Sequence, residues 1–490
     1  MPTPRPPRLS RRSVLQLGAL GLSGAAVGVF NRAAETPIRL AARTPAGLPE
    51  VQFHINDFLA PVETVDGTLF RFGPVYTVFR TARLRRLPTR RDQRVLADAL
   101  DAIEATHAFR PSGIFTTIAY GQPYLDRLPA MLVAEHVPRL SSDPARPAFQ
   151  EAVPAPTDVH TSNPGVTKLR FNQPVRIEDN DLLLTLRSDS LDVVLEVIGW
   201  LAGSDRLGGR RSRSPDLGLL DWTSTRVMFS QRGMPRRLAD QQRLPFAHRV
   251  HPESPMWMGF SDQQVEASGP PDIVTFRGTD AARLTTARRG DYLADASVQH
   301  LSHVIQDLEQ FYLGAEPGPE GEEDASYLNR VTYMFRMTPP PHRGNADQHT
   351  DGGGPAFLPN EFRGVEDAER GAAGIGTPEG IRRIGHVTAL QRSSRAPDGT
   401  PLHIRTDGPG FDDMDIPGGT RQPKLQFSIF VPTADVFARM RRDGAAVDLA
   451  AKHRVPAADN GLERFITATR RQNFLVPPRS RRTFPLLELT

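Results

Sequence analysis

The chain has 490 residues, of which 39% are hydrophobic, enough apolar sequence for two or three ordinary domains or one large duplicated domain. It contains no cysteine, which excludes disulfides, thiolate-bound metals, iron–sulfur clusters and a cysteine-attached c-type haem. The formal charge is +4, but residues 1–34 hold five arginines and no acidic residue, so the remainder carries about −1. The sequence therefore gives no reason to expect nucleic-acid binding.

The N-terminus has a basic stretch followed by an apolar run. Ser10-Arg11-Arg12 precedes an apolar run from Val14 to Phe30 that is interrupted by glycines. Its 17 residues are fewer than the ~20 that span a membrane. The paired arginines are similar to the consensus of twin-arginine export signals. Residues 1–34 are therefore predicted to be a twin-arginine signal segment, and residues 35–50 a tether.

This signal predicts the twin-arginine translocase as a partner and a location in the periplasm, in the cell envelope or outside the cell. Ser23-Gly24-Ala25-Ala26 and Arg32-Ala33-Ala34 are both candidate cleavage sites, and an uncleaved anchor is a third outcome. A buried or amphipathic N-terminal helix is the alternative interpretation of the same residues.

The next part of the chain predicts a ferredoxin-like arrangement. Residues 51–59 predict a buried strand, and Phe70 to Leu84 a second strand. Thr89 to Phe109 has apolar residues at helical spacing, and Gly113 to Tyr120 predicts a further strand. Residues 140–166 are rich in proline, serine and threonine and predict a linker or a long loop. Residues 51–165 are therefore predicted to form an N-terminal ferredoxin-like half.

Residues 166–490 are predicted to form a C-terminal ferredoxin-like half with long insertions. The expected strands are Asp181–Leu186, Thr225–Gln231, Val331–Met337 and Lys424–Val431, and the expected helices are Leu191–Ala202 and Thr433–Arg441. Thr433 is the predicted cap of the second helix. Residues 338–380 are expected to be largely loop. The fold class is α+β with antiparallel sheets.

Three short segments could carry chemistry. Gly259-Phe260-Ser261-Asp262 places a carboxylate in a glycine turn, which by itself is typical of a turn residue. His386 lies in an apolar setting after a loop, where most histidines are core residues. Arg405 follows a short apolar approach and lies 19 residues after His386. Considered alone, each of the three segments has an ordinary structural explanation.

Together, and in this order, the three segments resemble the haem site of dye-decolourising peroxidases, over roughly residues 225–475. The resemblance implies a dimeric α+β barrel of two ferredoxin-like halves, with haem b in the C-terminal half. It makes Asp262 the distal acid, His386 the proximal iron ligand and Arg405 the distal cation, and Asp435 an acidic partner of the imidazole. It also implies hydrogen peroxide and an unknown reducing substrate as reaction partners, and a homo-oligomer. Gln263 replaces the family's glycine after the acid, and a long insertion precedes His386.

These residue types suit that chemistry. Haem iron needs a neutral nitrogen ligand and an open opposite face, and a carboxylate hydrogen-bonded to that ligand makes it more basic. A distal carboxylate can move the proton of the peroxide, and an arginine can stabilise the charge that develops on the leaving oxygen. The alternative function is a non-enzymatic exported protein on the same scaffold that binds haem, iron or a divalent metal.

A second cluster supports the metal-binding alternative. Residues 296–312 predict a helix in which His300, His303 and Asp307 lie on one face, a geometry suited to a mononuclear metal site. These histidines could instead join the haem pocket. The structural alternative is a solvated polar face.

Overall fold

The computed structural model describes residues 24–37, 47–59, 63–65, 68–70, 73–258, 274–279, 283–314, 334, 364–377, 380–396 and 401–490. The predicted strand at Val331–Met337 lies outside these residues except for Met334, and Asp262 also lies outside them. No helix in the described ranges combines the length and the apolar character that a membrane crossing requires.

The first half of the chain forms a four-stranded antiparallel unit. Its elements are α1 (Gly24–Ala33), β1 (Tyr76–Leu84), α2 (Arg90–Thr106), β2 (Phe115–Tyr120), β3 (Leu182–Ser188), α3 (Leu191–Leu201), β4 (Leu220–Phe229) and α4 (Met234–Gln241). Strand β1 pairs with β3 and β4, and β2 pairs with the other edge of β3. The spatial order β4–β1–β3–β2, with a helix after the first and third strands, is the ferredoxin-like arrangement.

The second half repeats this arrangement. Its elements are β5 (Ser297–Gln306), α5 (Leu308–Leu313), α6 (Gly364–Ala373), α7 (His386–Gln391), β6 (Ile404–Arg405), β7 (Gly408–Asp412), β8 (Gln422–Val431), α8 (Ala434–Ala445), α9 (Val447–His453) and β9 (Ile466–Val476). Strand β5 lies between β8 and β9, and β6 and β7 both pair with β8. The order β9–β5–β8–β6 matches that of the first half.

The remaining described elements are short. They are the strands Glu63–Val65, Thr68–Phe70, Arg176–Ile177, Arg206–Leu207 and Arg210–Arg211, the α-helices Gln122–Leu125 and Ala130–His136, and 3₁₀ turns at Asn56–Phe58, Ala247–Arg249, Ala457–Asp459, Glu463–Phe465, Arg479–Arg481 and Leu487–Leu489.

The helices form where capping and amphipathic patterning agree. The Thr89 hydroxyl accepts a hydrogen bond from the Asp92 backbone amide, and the Thr89 backbone amide donates one to the Asp92 carboxylate, so a capping box starts α2. Thr433 caps α8 through the Val436 backbone, as predicted. In α8 the buried face includes Phe437 and Met440, which pack towards the sheet of the second half.

The two sheets meet along both of their edges. Leu475 of β9 bridges to Tyr120 of β2, which joins the strands of both halves into one ten-stranded sheet. At the opposite edges, Gly408 and Gly410 of β7 lie against β4: a Cβ at either position would be 3.0 Å from a β4 carbonyl oxygen. Only glycine allows so close a backbone approach. The predicted α+β fold with two antiparallel ferredoxin-like halves is therefore confirmed.

Several local predictions were wrong. Residues 51–59 form turns and a short 3₁₀ helix rather than a strand, and Gly364–Ala373 is a helix within a region expected to be loop. Strands β3 and β4 pair with β1, so residues 182–229 belong with the first unit, whereas the predicted boundary at residue 165 placed them in the second.

The largest error concerns residues 296–312, where β5 and the short helix α5 replace the expected single helix. The strand is buried on both faces and hydrogen-bonded on both edges. A strand buried on both faces carries apolar residues without strict alternation, so its sequence also fits a helical period.

Candidate functional site

A cavity lies in the second half between the sheet and the helices that cover it. Its empty space, counted together with the solvent at its open mouth, is about 960 Å³. Its apolar wall comes from both layers and includes Met258, Val304, Leu390, Leu425, Phe427, Phe437, Met440 and Ile466. Charged and polar side chains interrupt this wall at a few places.

His386 is the first residue of α7 and lines the cavity. The approach to it is fixed by two backbone hydrogen bonds of 2.8 Å: the Ile384 amide donates to the Asp459 carbonyl, and the Gly461 amide donates to the Ile384 carbonyl. Burial and the positive charges of Arg441 and Arg405 together lower the pKa of His386 to about 4, against the opposing effect of Glu463. The imidazole is therefore neutral at pH 7, the form that binds metals.

Glu463 and Arg441 form a buried ion pair in the same wall. The Arg441 guanidinium donates to both carboxylate oxygens, at 3.0 and 3.3 Å, and the Thr157 hydroxyl donates to one of them. Burial raises the pKa of Glu463, but Arg441 and Lys168 outweigh this effect and bring the pKa to about 2. Glu463 is thus ionised at neutral pH and acts electrostatically on His386.

Arg405 and Asp407 line the cavity where β6 leads into β7. Pairing of Arg405 with Ile429 of β8 fixes its register at the edge of the sheet. The Arg405 Nε and the Asp407 Oδ1 are 4.0 Å apart, so a carboxylate accompanies the guanidinium. Strand pairing, rather than a mobile loop, therefore holds the Arg405 guanidinium and the neighbouring Asp407 carboxylate in place.

A segment of the first half crosses to the second half and completes the cavity. We call residues 155–177 the strap; its Thr157 and Asp158 line the cavity. Asp158 accepts two hydrogen bonds from Arg471 of β9, of 2.6 and 2.9 Å, and both side chains are at least 96% buried. Arg471 also donates to the Ser302 hydroxyl of β5 at 2.9 Å. The sequence predicted much of this segment to be a linker, but it is part of the cavity wall.

The structure brings two of the predicted site residues together. His386 and Arg405 line the same cavity, and the charge of Arg405 acts on the pKa of His386. The third, Asp262, is outside the described residues; Met258, four positions earlier in the sequence, lines the cavity.

Asp435 has other partners. Its carboxylate pairs with Arg146 and Arg439, each at 3.4 Å. Glu463, which sequence reasoning missed, is the carboxylate that acts on the pKa of His386. No local pattern could have identified it, because Thr157, Arg441 and Glu463 come from three separate parts of the chain.

His300, His303 and Asp307 do not converge. In β5, side chains three residues apart point to opposite faces of the sheet. His300 bonds to Asn473 and Ser302 and stacks on Phe437, whereas His303 bonds to Thr469 and Asp412. Asp307 caps α5 and pairs with Arg170 at 3.0 Å. Among the described residues there is no group of three or more acidic or histidine side chains that could hold a metal ion.

Comparisons with known proteins give both similar folds and a family. Solved structures similar to this chain include a dye-decolorizing protein from V. cholerae, with 10% identity, a TM-score of 0.44 and coverage of 83% of this chain and 95% of that one. An encapsulated DyP-type peroxidase from Mycobacterium smegmatis has 14% identity and a TM-score of 0.44, covering 90% and 98%. A DypB variant from Rhodococcus jostii RHA1 in complex with heme has 12% identity and a TM-score of 0.47, covering 83% and 94%.

In sequence, no protein of curated function matches the chain. A family model does match, from residue 74 to residue 478, which includes both ferredoxin-like halves and the whole cavity. The protein therefore belongs to DUF7405, a family of unknown function.

Proposed function

We propose that this protein is an exported haem peroxidase of the dye-decolourising type, which reduces hydrogen peroxide and oxidises an unknown donor. One observation carries the proposal: His386 and Arg405, singled out by their spacing in the sequence, line a single apolar cavity in the second half of the fold. The pairing of a neutral imidazole with a permanent cation in such a cavity is the combination that haem-dependent peroxide chemistry needs.

The residues of the cavity suit haem b. A histidine with a pKa of about 4 offers iron a neutral nitrogen at physiological pH. Phe427, Phe437, Leu425 and Met440 provide apolar surface for a porphyrin face. With no cysteine in the chain, a histidine is the natural strong ligand. When bound, the haem would supply the redox-active iron at which peroxide is reduced.

The protein groups then have distinct tasks. His386 holds the cofactor, and the carboxylate of Asp262 accepts a proton from one oxygen of the peroxide and returns it to the other. Arg405 stabilises the negative charge on the departing oxygen, because a guanidinium stays charged at every relevant pH.

Glu463, rather than Asp435, is the acidic partner of the imidazole in this proposal. Its ionised carboxylate favours positive charge on the imidazole, which makes His386 a stronger donor. Arg441 holds both of its oxygens and so moderates that effect.

The test is the visible absorption spectrum of the purified protein after reconstitution with hemin. We expect a Soret band in the parent protein and its loss in His386→Ala. The matched control is His248→Ala, which removes an exposed imidazole and should keep the band. Parent protein that takes up no hemin would refute the haem assignment.

The roles in catalysis are tested separately. Asp262→Asn and Arg405→Leu should keep the Soret band but lower kcat for peroxide by roughly 100-fold or more, a typical cost of losing a proton-transfer group or a charge-stabilising group. Normal turnover in both variants would refute these roles. A haem-loaded parent with no turnover of peroxide would instead favour the alternative, a non-enzymatic haem-binding protein.

Export through the twin-arginine translocase is part of the proposal and rests on Arg11 and Arg12 in the sequence. Replacing both with lysine should keep the protein in the cytoplasm of a host that has this translocase, as shown by fractionation and immunoblotting. Equal export of the lysine variant would contradict this part alone.

A further inference from the structure

The end of the predicted signal segment is built into the folded body. Phe30 and Ala33 of α1 are each only 2% exposed. The Phe30 ring lies 5.7 Å from the ring of Phe229 in β4, and the Tyr76 hydroxyl of β1 donates to the Phe30 carbonyl at 3.3 Å. These contacts join the segment to one central and one edge strand of the first ferredoxin-like unit.

Polar contacts hold the residues on both sides of Ala33. Asn31 donates to Asp192 of α3 at 3.2 Å, and Arg237 of α4 donates to the Ala33 carbonyl at 2.7 Å. The backbone of Glu35 exchanges two hydrogen bonds with the Gln231 side chain, of 2.8 and 2.7 Å.

The side chain of Glu35 also pairs with Arg237 at 3.2 Å. The body therefore presents a groove for the segment Phe30–Glu35, and four elements, β1, β4, α3 and α4, contribute partners to it.

We propose that Phe30–Glu35 is a permanent part of the mature protein and that Arg32-Ala33-Ala34 is not a processing site. Proteases cut backbone that is exposed and locally unfolded. Ala33 ends a helix, its carbonyl is bonded to Arg237, and its side chain is buried. Any processing of the signal segment therefore occurs before Phe30. The mature protein then keeps Phe30–Glu35 as part of its folded domain.

The inference concerns the groove and does not depend on haem or on peroxidase activity. Cleavage after Ala34 would remove a buried aromatic side chain and leave Tyr76 and Phe229 beside a cavity. Loss of a buried phenylalanine is among the most destabilising single changes in a protein core.

The first test compares melting temperatures of full-length variants. Phe30→Ala should lower Tm by roughly 5 °C, and Phe30→Leu by clearly less. Arg32→Ala is the matched control, because Arg32 is exposed on the same helix, and it should leave Tm unchanged. A chain that begins at Glu35 should lose at least as much stability as Phe30→Ala. Equal Tm values for the parent, Phe30→Ala and the shortened chain would overturn the proposal.

The second test determines the N-terminus of the folded protein recovered from the cell envelope, by mass spectrometry of its terminal peptide. We expect a first residue at or before Phe30. A mature chain that starts at Asn31 or later would overturn the proposal. Failure of the protein to reach the envelope would contradict export only, and the Tm comparison would still decide this inference.

Discussion

The protonation state of His386 determines whether the cavity can bind a metal centre. Burial and two nearby guanidinium groups lower its pKa to about 4, while Glu463 opposes them. The folded protein therefore resists a proton that the unfolded chain binds near pH 6.5. His300 and His303 are also buried with lowered pKa values, so acid acts on several imidazoles at once.

This arrangement predicts how stability depends on pH. A lowered folded-state pKa contributes stability that is fully present above pH 6.5 and is lost as the pH falls towards 4. Each such histidine contributes at most ~1.4 kcal/mol per pH unit in that window. In urea unfolding of the haem-free protein, the unfolding free energy of His386→Gln should fall less steeply between pH 6.5 and 4.5 than that of the parent. His248→Gln is the control and should follow the parent; identical slopes for all three proteins would argue against the prediction.

Among the elements, the strap links the two halves at the cavity. It lies beside β9, where Arg176 and Ile177 pair in parallel with Arg470 and Arg471. Its Asp158 neutralises a guanidinium that would otherwise be buried alone. Burial raises the pKa of Asp158, but Arg471, Arg441 and the Ala155 amide together bring it below its ordinary value. The strap thus provides a charge that the second half lacks.

Removal of that charge should therefore be costly. Asp158→Ala leaves Arg471 buried without its carboxylate and should lower the free energy of unfolding by roughly 3–5 kcal/mol. Asp179→Ala, which breaks an exposed pair with Arg83, should cost less than ~1 kcal/mol. Denaturant titration of both variants measures the difference. Similar values for the two would mean that the buried pair adds no stability beyond that of an exposed one.

At the scale of the whole molecule, two backbone contacts bring the edges of the sheets together. Tyr120 and Leu475 join one pair of edges, and Gly408 and Gly410 allow the other pair to approach closely. Trp257 reinforces the second contact, since its indole donates to the Gly410 carbonyl at 3.0 Å. The strand that carries these glycines directly follows Arg405, so this closure also fixes one wall of the cavity.

A methyl group at this junction should disturb the closure. In Gly410→Ala the new Cβ would lie 3.0 Å from the Val227 carbonyl oxygen, and we expect a loss of roughly 1–3 kcal/mol in unfolding free energy. Gly165→Ala is the control: no atom lies within 4 Å of its new Cβ, and it should change stability by less than ~0.5 kcal/mol. Equal stability of the two variants would show that the junction tolerates the extra methyl group.

The local sequence pattern was sufficient to predict an element where its apolar residues followed a single period. The helices α2 and α8 and the strands β2, β3 and β8 follow from apolar spacing, and Thr433 marks the start of α8. The pair His386 and Arg405 was also visible in the sequence, through its spacing and its resemblance to a known haem site. These features are encoded by residues close together in the chain.

Tertiary structure alone decided the rest. Residues 297–306 form a strand because β8 and β9 pair with both of its edges, although the same residues fit a helical period. Asp158 reaches the cavity from a segment far earlier in the chain than its partner Arg471 and than the pair Arg441 and Glu463. These ion pairs stabilise the charges only once folding has excluded water from them. The sequence thus determined the local elements and one pair of candidate residues. The buried charges around that pair, and the burial of Phe30, were decided by long-range packing, which no local pattern records.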